Sequence, residues 1–182
     1  MRQFRLLNAD EIECRISEIS KSGDGLSLLL YKTARTDAAL LDETIGWDRW
    51  QNEFKCIDGK MYCGIGIRVE REIDGYHSSE WVWKWDCGTE SNTEAEKGQA
   101  SDAFKRAGFK WGIGAELYSS PRIWIGSEKC SIKDYNGKLR CFDTFSVEKI
   151  AYDDKGNITG LAIINDSTKK RCFVWQRESV NA

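Results

Sequence analysis

Proline and histidine are almost absent from this chain of 182 residues, which contains one of each, Pro121 and His77. A single imidazole excludes metal sites that need several histidines, and any Ser-His or Cys-His mechanism would have to use this one ring. We interpret His77, beside Tyr76 in a turn, as a surface residue with no catalytic role. The seven cysteines include no Cys-x-x-Cys pair, so they indicate buried thiols in a reducing compartment, not a zinc or redox motif.

Long apolar segments are missing as well. No stretch approaches the roughly 18 to 20 consecutive apolar residues that cross a bilayer, and the first residues contain acids where a signal peptide has an apolar run. The composition, with 41% hydrophobic and 31% charged residues, is that of a soluble globular protein. We therefore expect a cytoplasmic protein with no membrane partner.

The sequence also lacks a phosphate-binding loop. There is no Gly-x-x-x-x-Gly-Lys-Ser/Thr run, and the Gly-x-Gly fragments at 64–66 and 112–114 lack the third glycine of a dinucleotide loop. We therefore expect no ATP-driven chemistry and no bound cofactor.

Glycine, with 16 occurrences, provides most of the turn signals in the first part of the chain. Apolar and polar residues alternate in 11–20, and the turn Gly23-Asp24-Gly25 leads into the apolar segment LSLLLY, so the pattern predicts a β-hairpin. A short helix follows over about 37–45, with Thr36 or Asp37 as its cap and Gly46 at its end.

The middle of the chain predicts a β-meander and then a long helix. Three segments rich in aromatic and β-branched residues, 49–56, 60–73 and 79–87, are separated by Asp-Gly turns and fit antiparallel strands. A helix of about 92–111 follows, with a capping box at Ser91 and Glu94. Its apolar stripe is formed by Ala100, Ala103, Phe104, Ala107 and Trp111.

Beyond about residue 128 the pattern is purely that of short strands separated by turns. The predicted fold class is therefore α+β: a β-hairpin, a short helix, a three-stranded antiparallel meander and a long amphipathic helix packed on the sheet, followed by a small antiparallel appendage. We place the core domain at 1–120 and the β-rich C-terminal appendage at 121–182.

The net charge of -2 hides an uneven distribution. Residues 1–96 carry 12 basic and 19 acidic side chains, whereas residues 97–133 carry 7 and 3. This basic stretch either contacts phosphates or simply complements the dipole of the long helix with a solvated face. Its cations in and after the second half of the helix are Lys105, Arg106, Lys110, Arg122, Lys129 and Lys133.

Three tryptophans, Trp81, Trp83 and Trp85, alternate along one predicted strand and therefore share one face. Such a row of indoles can stack on unpaired bases. Because tryptophan is more often buried than used as a binding platform, we expect this face to be the core beneath the long helix or a subunit interface.

A metal-dependent nuclease is a second hypothesis. Asp42 or Asp48, followed by Glu53-Phe54-Lys55, meets the minimal pattern of a carboxylate and a Glu-x-Lys pair. On an alternating strand the same pair is more simply an exposed face.

Two segments, 33–51 and 97–118, together resemble the Rad52/Rad22 family of single-strand annealing proteins, in particular its short phage and prophage members. The similarity runs from about residue 12 to 120. The long-helix signature of the family is matched by Asp102, Ala103, Phe104, Lys105, Arg106 and Ala107, with Ala100 one residue closer to Asp102 than the signature has it. It closes through Trp111, Gly112, Gly114, Leu117 and Tyr118.

The resemblance implies a non-enzymatic recombination mediator in a bacterial host cell. Such a protein binds single-stranded DNA and pairs complementary strands without ATP, as a homo-oligomeric ring or helix with DNA in a basic groove. Possible further partners are phage or host recombination and single-strand-binding proteins. The DNA-binding residues that the resemblance implies are Arg15, Tyr31, Lys32, Lys105 and Arg106. From charge and position we add Arg35, Lys110 and Arg122.

The resemblance assigns no role to the Trp81 face or to residues 128–182. A non-enzymatic protein-interaction module therefore stands beside annealing and the nuclease as a third hypothesis. Dependence on divalent metal separates the nuclease from annealing, and loss of affinity as salt rises separates annealing from the interaction module.

Overall fold

The structure is a computed structural model that describes residues 4–89 and 95–178. These residues form eleven strands and two α-helices. In chain order they are β1 (Glu13–Ile19), β2 (Gly25–Tyr31), α1 (Ala34–Ile45), β3 (Trp50–Ile57), β4 (Lys60–Ile73), β5 (Tyr76–Cys87), α2 (Ala95–Lys110), β6 (Ile123–Gly126), β7 (Ile132–Tyr135), β8 (Lys138–Cys141), β9 (Phe145–Tyr152), β10 (Ile158–Asn165) and β11 (Lys170–Gln176). This mixture of helices and antiparallel sheets confirms the predicted α+β class.

The chain forms two compact units. The meander unit consists of the residues up to Arg5 and of Thr33–Gly114, and the hairpin unit consists of Leu6–Lys32 and the chain from Ala115 onward. This grouping does not coincide with the predicted boundary at residue 120, because β1 and β2 share a sheet with strands from beyond that residue.

The meander unit contains an antiparallel sheet in the order β3-β4-β5, which confirms the predicted meander. Both connections are Asp-Gly turns, at 58–59 and 74–75, in which all four residues have positive φ. This is the type I′ geometry, whose twist matches that of the flanking strands. The two turns therefore fix the register of the whole meander.

Helix α2 packs on one face of this sheet. Cys63, Ile65 and Ile67 alternate along β4 and are buried on that face, and Ala103 and Ala107 are buried on the helix. The apolar stripe that predicts the helix thus supplies its packing surface. The predicted capping box at Ser91 and Glu94 lies outside the described residues.

Helix α1 begins earlier than its predicted start at residue 37. The hydroxyl of Thr33 accepts a hydrogen bond from the amide of Thr36 at 3.2 Å, so Thr33 is the N-cap, in place of Thr36 or Asp37. Gly46, with φ of 96°, ends the helix as predicted.

The hairpin unit contains a six-stranded antiparallel sheet in the order β11-β10-β9-β1-β2-β6 and a separate two-stranded ladder, β7-β8. The β1–β2 hairpin confirms the sequence prediction. Its partners are remote in sequence, because Glu13 pairs with Ser146 and Leu26 pairs with Ile125. The buried residues of this unit include Leu26, Leu28, Ile123, Ile125, Leu161 and Ile163.

Not all cysteines are buried as predicted. Cys63 and Cys172 are buried, but Cys56 is exposed on β3 and the other four are half-buried. Burial raises the pKa of the Cys63 thiol to about 12. In the part of the chain that the structure describes, no helix is both long enough and apolar enough to span a membrane.

Candidate nucleic-acid interface

Two of the predicted binding residues lie together on the outward face of the β1–β2 hairpin. Glu13 pairs with Tyr31 and Arg15 pairs with Leu29. The guanidinium carbon of Arg15 lies 5.9 Å from the centroid of the Tyr31 ring, within the range of a cation–π contact. Arg15 and Leu29 are exposed, so this face offers a cation and an apolar surface to a ligand.

The hydroxyl of Tyr31 has a partner within the hairpin. It donates a hydrogen bond to the carboxylate of Glu13. Burial of the phenol, together with this hydrogen bond and the Glu13 charge, raises the pKa of Tyr31 to about 12. The donor of the Tyr31 hydroxyl is thus used within the hairpin, and the ring remains available to contact a ligand.

The neighbouring strand β6 continues this face. Trp124 lies between two buried isoleucines, and its side chain is 39% exposed. The guanidinium carbon of Arg122 lies 5.8 Å from the centroid of its ring. A Cβ atom at Gly25 would lie 2.4 Å from the indole, so only a glycine at this position leaves room for the Trp124 side chain.

We call this face the sheet surface. It carries two cation–aromatic pairs, which is the combination that single-stranded nucleic acids bind. Trp124 was missed by sequence reasoning, although the alternation Ile-Trp-Ile in a short strand predicts an outward indole. The residues of the sheet surface are Arg15, Leu29, Tyr31, Arg122 and Trp124.

Lys32 follows Tyr31 directly but is buried, with 7% of its surface exposed. A lysine with so little exposed surface is poorly placed to meet a phosphate in solvent. Its position therefore does not favour the direct contact with DNA that the resemblance implies.

Two other predicted cations lie on α2 in the meander unit. Arg106 and Lys110 are one turn apart and exposed, and both approach the carboxylate of Asp86 on β5. The nitrogen–oxygen distances are 3.4 Å for Arg106 and 3.7 Å for Lys110. Lys105, the third cation of the motif, is half-buried.

Lys84 was not singled out by sequence reasoning, yet it lies at the end of the same helix. Its ammonium group donates a hydrogen bond of 2.9 Å to the carbonyl oxygen of Lys110 and lies 4.1 Å from the centroid of Trp111. A cation at this position complements the negative end of the helix dipole. We call Lys84, Arg106 and Lys110 the helix surface; with Asp86 included, it carries a net charge of about +2.

Arg35 is exposed in the first turn of α1. Its assignment as a DNA contact stays a prediction.

The tryptophan face of β5 is not the core beneath α2, so that part of the expectation is wrong, and the alternative of a subunit interface stays a prediction. α2 packs on the opposite face of the sheet, where Ile65 and Ile67 are buried. Trp81 is 40% exposed, and the rings of Trp83 and Trp85 are stacked with centroids 5.8 Å apart.

Glycines on β4 decide this arrangement. A Cβ atom added at Gly64 would lie 2.4 Å from the indole of Trp85, and one added at Gly66 would lie 2.8 Å from the indole of Trp83. The indoles therefore lie against bare backbone, and Lys55 on β3 reaches over Trp85, 4.4 Å from its centroid.

Two acids of the nuclease hypothesis, Asp42 and Glu53, form local contacts. Asp42 accepts a hydrogen bond of 2.7 Å from the indole of Trp50, and Glu53 forms an ion pair of 3.2 Å with Lys55. Within residues 4–89 and 95–178, no three His, Cys, Asp or Glu side chains form a group that could hold a metal ion. The nuclease hypothesis therefore gains no support from this geometry.

Comparison with protein families identifies a family for most of the chain. Residues 5–134 match the model of the Rad52/22 family double-strand break repair proteins. The matched segment includes the sheet surface and the helix surface. No curated protein matches the chain in sequence.

Proposed function

Because the chain belongs to the Rad52/22 family of double-strand break repair proteins, we propose that it binds single-stranded DNA and anneals complementary strands without ATP, as a homo-oligomeric ring or helix. Membership places the chain in DNA repair and recombination, with strand annealing as the family's activity. Binding of single strands and the assembly state are the steps proposed for this chain.

The sheet surface is the observation that carries this proposal. Annealing forms no covalent bond, so it needs only a scaffold that neutralises phosphates and leaves base edges free to pair. Arg15 and Arg122 supply positive charge, and Tyr31 and Trp124 supply aromatic rings beside them. In the meander unit, Arg106 and Lys110 supply further phosphate contacts.

Self-association is supported by the edges of the meander sheet. Within the described residues, β3 and β5 each have a strand neighbour on one side only. An open edge presents unpaired backbone donors and acceptors to another strand. If β3 of one copy pairs with β5 of the next, the contact is head-to-tail, and repetition gives a ring or a helix.

The first test is annealing of two complementary fluorescent oligonucleotides in EDTA without nucleotide. We expect a faster rate than without protein, and strands of unchanged length on a gel. No acceleration would refute annealing. Strands shortened only when Mg²⁺ replaces EDTA would point to the metal-dependent nuclease. Size-exclusion chromatography with light scattering measures the mass of the particle in solution. A mass of several chains is the result expected for a homo-oligomer, and this test is independent of annealing.

The second test addresses the sheet surface. We expect Trp124→Ala to weaken binding of single-stranded DNA by about tenfold, because a base stacked on an aromatic ring contributes about 1–3 kcal/mol. Val174→Ala is the matched control, since Val174 is an exposed apolar residue on β11. Equal affinities of the two variants would exclude Trp124 from the interface.

A further inference from the structure

The two-stranded ladder β7–β8 is a rigid hairpin with a defined turn. Asn136 and Gly137 join the strands with φ of 55° and 78°, the type I′ geometry. The amide of Gly137 donates a hydrogen bond of 2.9 Å to the carboxylate of Asp134. The turn thus fixes the register in which Lys133 pairs with Arg140 and Tyr135 pairs with Lys138.

The two faces of this hairpin differ in chemistry. Ile132 and Leu139 alternate onto one face and lie beside Gly23 in the turn of the β1–β2 hairpin, where a Cβ atom would be 3.4 Å from Leu139. This face anchors β7–β8 within the hairpin unit. By the same alternation, the other face carries Lys133, Tyr135, Lys138 and Arg140, all exposed.

The three cations of the outer face are not neutralised by neighbouring acids. In the described part of the chain, the structure records no ion pair for Lys133, Lys138 or Arg140. Arg140 differs in this respect from Arg171, which pairs with Glu148 at 2.6 Å. The outer face therefore presents about three positive charges to a ligand.

Two exposed aromatic rings accompany these charges. Tyr135 is 57% exposed and Phe142 is 71% exposed, and their rings meet edge to face with centroids 6.2 Å apart. The guanidinium carbon of Arg140 lies 5.8 Å from the centroid of Tyr135. Most of the surface of both rings still faces solvent, and exposed aromatic rings beside cations are typical of a binding surface.

We propose that these five residues, the arm surface, are an additional contact site for single-stranded DNA. The cations neutralise phosphates, while Tyr135 and Phe142 stack on unpaired bases, whose faces are not accessible in a duplex. The inference rests on the proposed function and extends it, because the family match ends at residue 134 and leaves β8 outside. The arm surface consists of Lys133, Tyr135, Lys138, Arg140 and Phe142.

The test uses fluorescence anisotropy of the full chain with oligothymidylate and with an abasic oligomer of equal length, over a series of salt concentrations. The aromatic variant is Tyr135→Ala with Phe142→Ala. We expect it to lose affinity for oligothymidylate by about tenfold or more, and to bind the abasic oligomer as the wild type does.

A second variant removes the charges. Neutralising Lys133, Lys138 and Arg140 with glutamine should lower the slope of log affinity against log salt by about 2, since each phosphate contact on a single strand contributes about 0.7. The matched control neutralises three exposed lysines elsewhere in the hairpin unit. These are Lys149, Lys169 and Lys170.

Several outcomes would refute the proposal that the arm surface binds single-stranded DNA. They are wild-type affinity in the aromatic variant, an equal loss on the abasic oligomer, and a charge variant that behaves like its control. If the charge variant instead loses binding to polyglutamate and keeps its affinity for DNA, the site is for an acidic protein. If these arm variants bind as wild type while Trp124→Ala does not, only the arm surface fails. A wild-type protein that does not bind oligothymidylate refutes the proposed function as well.

Discussion

Asp86 limits the positive charge that the helix surface can offer to DNA, and removing its charge should therefore strengthen binding. In Asp86→Asn the side-chain oxygen remains available for the hydrogen bond of 2.7 Å that the amide of Cys87 donates. Arg106 and Lys110 lose only a partly exposed ion-pair partner, and such pairs contribute little to stability. The substitution thus changes charge and leaves the local structure intact.

The expected gain follows from Coulomb's law. A phosphate bound by Arg106 and Lys110 lies about 7 Å from the Asp86 carboxylate, where like charges repel by roughly 0.6 kcal/mol in water and roughly 2.4 kcal/mol at an effective dielectric constant of 20. The Asp86 side chain is 20% exposed, between these limits. We therefore expect Asp86→Asn to gain about 1 kcal/mol, or about fivefold in affinity, for single-stranded DNA.

Fluorescence anisotropy with labelled oligothymidylate at low and high salt measures this effect, which should shrink at high salt because salt screens it. Glu80→Gln is the matched control: it removes one negative charge from the same strand, where Glu80 pairs with Arg71 at 2.8 Å. An equal gain in affinity in both variants would mean that the net charge of the protein, and not the position of Asp86, causes the effect. No gain in Asp86→Asn would refute the contact between the helix surface and DNA.

Two further predictions concern packing and thiol exposure. Gly64→Ala should lower the free energy of unfolding by about 1–3 kcal/mol, because the new methyl group overlaps the indole of Trp85, whereas at Gly160 a Cβ atom meets its nearest neighbour at 3.4 Å and the same substitution should cost less. Urea unfolding followed by tryptophan fluorescence compares the two, and equal losses would contradict the role of Gly64. Maleimide labelling in the native state should modify Cys56 first, because it is exposed, and Cys63 only on unfolding. Peptide mass mapping over time checks this order, and early labelling of Cys63 would contradict it.

Local elements of the fold follow from the sequence because their signals are local. Asp-Gly dipeptides between β-branched and aromatic segments define the meander, and the period of the apolar residues defines α2. The sequence alone does not select the capping residue of α1, since Thr33, Thr36 and Asp37 are all chemically able to cap.

The pairing of β1 with β9 and of β2 with β6 has no such local signal. It depends on which apolar faces meet after the intervening chain has folded. For the same reason the sequence predicts that three indoles share a face but not which face. The face is determined by Gly64 and Gly66 on the neighbouring strand, because a glycine has no side chain and leaves room for the indoles of Trp85 and Trp83.

The candidate site was predictable in part. Charge identifies Arg15, Arg106 and Arg122 as cations, and the structure places all three on exposed positions. The burial of Lys32 and the partnership of Asp86 with α2 depend on tertiary packing, which residue type alone does not reveal. Their placement changes which cations are available to a ligand.

The insertion of the meander unit between β2 and β6 has a consequence for synthesis on the ribosome. Apart from the residues up to Arg5, this unit is one continuous segment, Thr33–Gly114, and it is complete when α2 has emerged. β1 and β2 are made first, yet their sheet neighbours β9 and β6 are made much later. The nascent hairpin therefore has two open edges and an uncovered apolar face while the later part of the chain is translated, which are the features that promote aggregation during folding.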